Sequence, residues 1–292
     1  MSNNFSNKNP IKSRIDSNIS ARSTWERRAV GSQRSRSKAG TINYYKEIRD
    51  YRYSYETPFI PDFFKFSDLY GKRVLEVGVG NGIDAVEMMK NGAKYTGIDI
   101  TVNHLNLTKK YIQLEGDFGH KYDVEGIFEG DLLEVKLPGN YDVIYSFGVL
   151  HHISHEEDVL SCLHNLLSRN GELRIAVYSK FSVFNFWMFV TWIFRNKFKD
   201  PLKNWKSFLA EGSCLDEPVV IKIRTKKQIK TILEKSGFSI IDYKKKGFVQ
   251  GYLPFIGKFF SEDGLVLNSL ASVFGWYHCF ICCRDDCNRD SK

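Results

Sequence analysis

Between residues 70 and 180, short apolar runs alternate with segments whose apolar residues recur every three or four positions. The run Val74-Leu75-Glu76-Val77 ends on Gly78, Gly80 and Gly82, and Ile83, Val86 and Met89 then follow at helical spacing until Asn91-Gly92. Lys94 to Ile98 predicts a second strand ending at Asp99. Residues 124–130 predict a third before Asp131, and residues 141–147 a fourth that exits through His151 and His152. Ser154 with Glu157 makes a capping-box pattern for a helix carrying Val159, Leu160, Leu163 and Leu167. Asn170-Gly171 predicts a turn into a fifth strand over 172–179. Thr225 with Gln228 predicts a second capped helix, closed near Gly237, then a strand FSIIDY and a last strand around Phe274 to Cys283. Alternation at these spacings predicts an α/β fold with a Rossmann-like, doubly wound sheet and helices on both faces.

The chemistry falls where the apolar pattern breaks. Glycines after the first strand admit backbone dihedrals closed to other residues and let a ligand lie against the main chain. The helix that follows turns free amides toward the same point. An acid at Asp99, at the end of the second strand, suits the two hydroxyls of a ribose, or caps the next helix. Asp131 and Leu132 stand after the third strand, although Gly-Asp turns are common. His151 and His152 lie at the carboxyl end of the fourth strand, where ligands sit in open parallel sheets, and either suits acid–base or orienting work. His151, His152 and His155 lack a companion acid or thiol at ligand spacing, so no metal is expected.

Charge changes the picture only at one end. The chain of 292 residues has a formal charge of +8, and residues 1–40 hold seven of those eight charges. That stretch, rich in Ser, Asn and Arg, predicts a disordered basic tail, or a transit-type leader. Residues 41–70, aromatic and charged, predict a cap over the cleft or, equally, aromatics covering an edge of the core, with Arg49 and Arg52 as candidates for an anionic group or for a solvated face. Residues 180–198 are dense in Phe and Trp but shorter than the roughly 20 residues that span a bilayer. They predict an insertion (180–224) that roofs a substrate site, with weak contact to a membrane surface as the other reading. Cys279-x-x-Cys282 has no second pair at zinc-ribbon spacing and reads as buried strand. No secretory signal is evident, and a cytoplasmic location is expected.

VLEVGVGNG (74–82), YTGIDIT (95–101), EGDLLEVKLPGNYDVIYSFGVLHHI (129–153) and LLSRNGELRIAVYS (166–179) together resemble the class I S-adenosylmethionine-dependent methyltransferases, in the branch related to quinone-biosynthesis enzymes. The resemblance implies a seven-stranded sheet whose last strand is antiparallel. It implies that Gly78, Gly80 and Gly82 shape the pocket for the methionine and ribose of S-adenosylmethionine, and that Glu76 helps position the amino group. Asp99 would bind the ribose, with Ile100 against adenine. Asp131 and Leu132 would frame the adenine edge, and Ser146, Phe147 and Gly148 the floor. The expected partner is a small-molecule methyl acceptor, through O, N or C, with His151 or His152 as base if the acceptor is a hydroxyl. An RNA-modifying methyltransferase gripping substrate with the basic tail is the alternative. An NAD-dependent oxidoreductase fits less well, because G-V-G-N-G is not the dinucleotide fingerprint.

Overall fold

The computed structural model describes residues 10–27, 29–195, 205–206, 220–253, 255–262 and 264–286. Seven strands form one sheet in the order β3-β2-β1-β4-β5-β7-β6. They are β1 (Arg73–Val77), β2 (Lys94–Asp99), β3 (Asp123–Glu129), β4 (Tyr141–Phe147), β5 (Leu167–Tyr178), β6 (Phe238–Lys246) and β7 (Tyr277–Arg284). β1 to β5 pair in parallel, and β7 runs antiparallel between β5 and β6. The order reverses between β1 and β4, which opens a crevice at their carboxyl ends, the usual ligand position in such sheets.

Nine helices are described: α1 (Pro10–Arg27), α2 (Ile42–Tyr51), α3 (Ile60–Phe63), α4 (Ile83–Lys90), α5 (Val102–Asp117), α6 (Glu156–Leu166), α7 (Val183–Arg195), α8 (Lys226–Lys235) and α9 (Leu265–Phe274). The period-two alternation of strand side chains sorts the core into two layers. Val74, Tyr95, Val143, Tyr145 and Ala176 pack against residues of α2 to α5. Leu75, Ile98, Ile144, Ile175 and Val177 pack against α6 and α8. Cys279 belongs to the first layer and Cys282 to the second, so the two thiols sit on opposite faces of β7 and do not share a metal. Both are free, and burial pushes both thiols well up from their ordinary pKa. Cys287 lies outside the described residues.

Three expectations are corrected. Residues 10–40 are not a loose tail: α1 packs on the domain, and residues 29–40 continue from it into α2. Arg22 donates to the Ile100 carbonyl (2.8 Å) and pairs with Glu129 (2.7 Å), while Glu26 accepts the Asn103 amide (3.2 Å) at the start of α5. An acid at that position meets unpaired amides and the positive end of the helix dipole. Residues 1–9 lie outside the described residues. The Ser154–Glu157 capping box does not form; α6 begins at Glu156, with His155 at its N-cap. The Thr225–Gln228 box does form. Finally, Asn170-Gly171 does not turn the chain; β5 runs through it, with a register shift opposite Tyr141 to Val143.

Candidate active site

A cavity of about 240 Å³ lies over the carboxyl ends of β1, β2 and β4. Its floor is the bend after β1. Gly78, Gly80 and Gly82 have φ of +84°, +55° and +82°, a region that disfavours side chains. A Cβ at Gly78 would stand 2.2 Å from Val149 Cγ2 and one at Gly82 would stand 2.9 Å from the Thr108 backbone. At Gly80 nothing lies within 4 Å, and the space in front of it is the cavity. Gly82 sets the start of α4 without lining the cavity.

Asp99 ends β2 with its carboxylate crowded by donors. Gly80 N–H (3.2 Å), Thr101 N–H (2.9 Å), the Thr101 hydroxyl and His104 Nδ1 (3.2 Å) all reach it. Burial alone would raise its pKa, but the bonds from His104 and Thr101 outweigh burial and hold it low. A carboxylate offers about four acceptor positions. A ribose diol therefore competes with the two longest contacts, from Gly80 and His104. His104 Nε2 in turn accepts the Val30 N–H (3.3 Å), so the strap after α1 fixes the histidine tautomer. Asn81 Nδ2 donates to the Val30 carbonyl (2.8 Å), tying the same strap to the glycine bend.

Glu76 is buried at the end of β1 and lines the cavity. The Tyr95 hydroxyl donates to it at 2.5 Å, and no ion pair involves it among the described residues. Burial, and then the neighbouring Asp84, push its pKa well up. Asp84, in the first turn of α4, has its own cation: Arg52 holds it through two bonds (2.7 and 2.5 Å), and Tyr53 (2.7 Å) and Tyr145 (2.8 Å) donate to it. Burial raises the Asp84 pKa, and Arg52 with the two tyrosines overcomes it and brings it down. Arg52 lines the cavity yet is committed to Asp84, while Arg49 pairs with Glu87 (2.8 Å), so neither stands as an isolated anion receptor. Asp84, His104 and Thr101 escaped the sequence reading. Asp84 sits in the first turn of α4, where nothing local distinguishes it, and only the fold delivers Arg52 to it across 32 positions.

Ile100, Asp131 and Leu132 line the cavity beyond Asp99, as does Gly148 on the β4 side. Asp131 Oδ1 accepts the Leu133 amide (2.9 Å) and holds the turn after β3. Ser146 is buried below the cavity floor, its hydroxyl donating to the Val77 carbonyl (3.1 Å). It lies outside the lining, contrary to expectation.

The two histidines part company. His152 lines the cavity, with Trp25 of α1 edge-on at 5.6 Å. Its Nδ1 lies 3.0 Å from the Val220 carbonyl, an acceptor only, so Nδ1 carries the proton and Nε2 is the bare nitrogen. Burial lowers its pKa to about 4. His151 does not line the cavity; it stacks on Tyr178 with ring centroids 3.5 Å apart, and neither ring nitrogen has a partner among the described residues. His155 also lines the cavity, at its rim beside Ser154. Tyr178, Trp276 and Tyr277 form the aromatic wall opposite α1. Phe184 of α7 stacks on Trp276 at 3.6 Å, so the expected roof meets this wall; most of 196–219 lies outside the described residues.

A doubly wound sheet with a glycine bend, a buried carboxylate at the end of the second strand and an aromatic extension of the same cavity defines a cofactor-dependent α/β protein. A methyltransferase-domain family model matches residues 45–243, and the chain belongs to that family. The ubiquinone biosynthesis O-methyltransferase of Nitrosococcus oceani is 34% identical over 114 residues, 39% of this chain and 47% of that protein. Its counterpart from Dechloromonas aromatica is 30% identical over 112 residues, 38% of this chain and 47% of that protein. The chain thus matches less than half the length of these relatives. Among solved structures, magnesium protoporphyrin IX methyltransferase from Synechocystis PCC 6803 with bound SAH superposes with a TM-score of 0.53 at 16% identity, over 94% of this chain and 99% of that one. That likeness is one of fold. Membership of the methyltransferase family answers the oxidoreductase alternative.

Proposed function

We propose that the chain transfers a methyl group from S-adenosylmethionine to a hydroxyl of an apolar small molecule. The observation that carries this reading is His152: a neutral imidazole on the cavity wall, its tautomer set by the Val220 carbonyl and its Nε2 free to take a proton. The residues at the other end suit the cofactor. Glu76 is a buried carboxyl group that burial and Asp84 hold toward its neutral form and that a positive group beside it would favour as the carboxylate, and Gly80 presents open backbone beside Asp99. When bound, the cofactor supplies a methyl group already activated by its sulfonium.

The chain's residues then have three tasks. Gly80, Asp99 and Glu76 fix the cofactor, and the Tyr178–Trp276–Tyr277 wall orients the acceptor. Positioning of this kind lowers barriers by roughly 7–11 kcal/mol. α1, with Trp25 over His152, excludes water from the space between. His152 Nε2 receives the proton that the acceptor hydroxyl gives up, a role that commonly contributes about 10²- to 10⁴-fold. The O-methyltransferase relatives support oxygen as the acceptor atom.

The test uses S-adenosylmethionine labelled in its methyl group, the full chain, and a cell extract separated into organic-soluble, protein and RNA fractions. Label in the organic-soluble fraction, reduced at least 100-fold by His152→Ala with calorimetric cofactor binding intact, is the expected result. Label in RNA would replace this reading with nucleic-acid modification, and no cofactor binding would end both.

A further inference from the structure

Opposite its contact with Trp276, helix α7 presents a second apolar face. Phe184 and Trp192 turn inward, while Phe186, Trp187 and Phe194 are exposed, Phe194 at 67%. A helix apolar on all sides is ordinarily buried on all sides. Two neighbours extend the patch. Val183 packs on a small cluster of Phe248, Leu267 and Ala271 that also holds Phe260, which brings α9 and the 255–260 loop beside α7. Lys245 Nζ donates to both the Phe181 carbonyl (2.6 Å) and the Val273 carbonyl (2.5 Å), which places Phe181 against the end of α9. In the loop, Phe255 is 92% exposed at φ +68°, a left-handed conformation that a bulky side chain rarely takes. Phe259 beside it is also exposed.

Basic groups rim this surface. Lys180 Nζ lies over the Phe181 ring at 5.6 Å and Lys258 Nζ over Phe259 at 5.2 Å. A second copy seated here would bring the same patch against itself in a two-fold contact, with both basic rims opposed. An anionic bilayer surface accepts the aromatic rings and neutralises the rim together. No described helix is long and apolar enough to cross a membrane. We propose that α7, the 255–260 loop and the exposed side of α9 form a face that rests on anionic lipid bilayers. This deepens the proposed function, since α7 then touches the bilayer on one side and the cavity wall on the other, and gives an apolar acceptor a short path between them.

The experiment is sedimentation of the full chain with vesicles of phosphatidylcholine, with and without about a third phosphatidylglycerol, at low and high salt. Binding to the mixed vesicles is expected, at least tenfold weaker without phosphatidylglycerol and weakened by salt. The double variant Phe255→Ser/Phe259→Ser and the single variant Trp187→Ser should each lose at least fivefold in vesicle affinity. Their melting temperatures and calorimetric affinity for S-adenosylmethionine should stay unchanged. Absence of binding to mixed vesicles, equal binding by the variants, or a concentration-dependent dimer abolished by the same substitutions would each overturn the proposal. Vesicle binding without cofactor binding would leave the face standing and bring down the proposed function alone.

Discussion

At the β1–β2 end of the cavity, polar groups are held by partners that the chain supplies in dense networks: Asp99 by Gly80, Thr101 and His104, and Asp84 by Arg52, Tyr53 and Tyr145. At the β4–β5 end the wall is aromatic, and its titratable groups are neutral imidazoles with one backbone partner or none. Both ends are buried, and burial penalises charge at both; the partners make the difference. Carboxylates with cations and donors stay ionised in spite of it, whereas histidines without such partners lose their affinity for protons. The first arrangement suits a charged, sugar-bearing ligand bound in one pose. The second suits a greasy acceptor and a base that stays unprotonated.

Cutting the network at its strongest bond should produce the largest effect. Asp84→Ala leaves the Arg52 guanidinium buried without its carboxylate, and breaking a buried ion pair in this way costs about 3–5 kcal/mol. Urea unfolding should show that loss directly. A change below 1 kcal/mol would mean that Arg52 finds water or Glu76 instead, and that the two ends differ less than their contacts indicate.

Acid should separate the two ends without a mutation. The folded-state pKa of His152 is depressed to about 4, from an ordinary 6.5, so the unfolded chain binds the extra proton first. Stability from this group is complete above pH 6.5 and falls as pH drops from there to about 4, by about 3 kcal/mol. Asp84 and Asp99 are also depressed, as acids, so their contribution is complete at pH 4 and above, begins to fail below the ordinary value of 3.8, and is gone once pH has fallen through their lowered values. His151 and His278 are depressed as well and the raised Glu76 acts in the opposite sense, so the readout is a difference: between pH 7 and 4, His152→Phe should lose about 3 kcal/mol less stability in denaturant than the parent. An equal loss in variant and parent would remove the contrast.

Asp99→Ala tests the cofactor end by binding. It should weaken S-adenosylmethionine affinity by more than tenfold, or at least about 1.4 kcal/mol, measured by calorimetry. Part of that loss is indirect. With the carboxylate gone, His104 and the Gly80 amide lose their acceptor, and Val30 loses a fixed imidazole to bond. His104→Phe should then reproduce a fraction of the effect with the carboxylate still in place.

The contrast between the ends also explains what could be read from the chain. Gly78, Gly80 and Asp99 were legible because a strand-end bend and the acid closing the next strand stand at nearly fixed separations. The strand alternation was legible as well, because each β-strand shows its two faces locally. Asp84 was not, because its meaning comes from Arg52, and Arg52 itself looked like a solvated or anion-binding group. α1 was not, because a basic, polar segment has the composition of disorder; Arg22, Glu26 and Trp25 reveal their use only against Ile100, Asn103 and His152. Ser146 shows the converse. The family resemblance marked it as cavity floor, and the pleat turned it underneath.

The smallest expected effect discriminates most sharply within the acceptor end. In sequence, His151 and His152 are equivalent candidates; in space, His151 stacks on Tyr178 and has no partner for either nitrogen among the described residues, while its carbonyl accepts the Lys222 amide (2.8 Å). The ring serves packing, and its unpaired nitrogens are a liability, since an unsatisfied buried polar atom costs about 1–3 kcal/mol. His151→Phe keeps the stack and the backbone bond while removing those atoms. Stability should therefore stay level or rise by up to about 1 kcal/mol. Turnover measured under saturating cofactor should stay within a factor of a few of the parent. If His151→Phe instead abolished turnover with folding and cofactor binding preserved, the proton would have to pass through the inner histidine. The Val220 carbonyl would then be orienting the wrong ring.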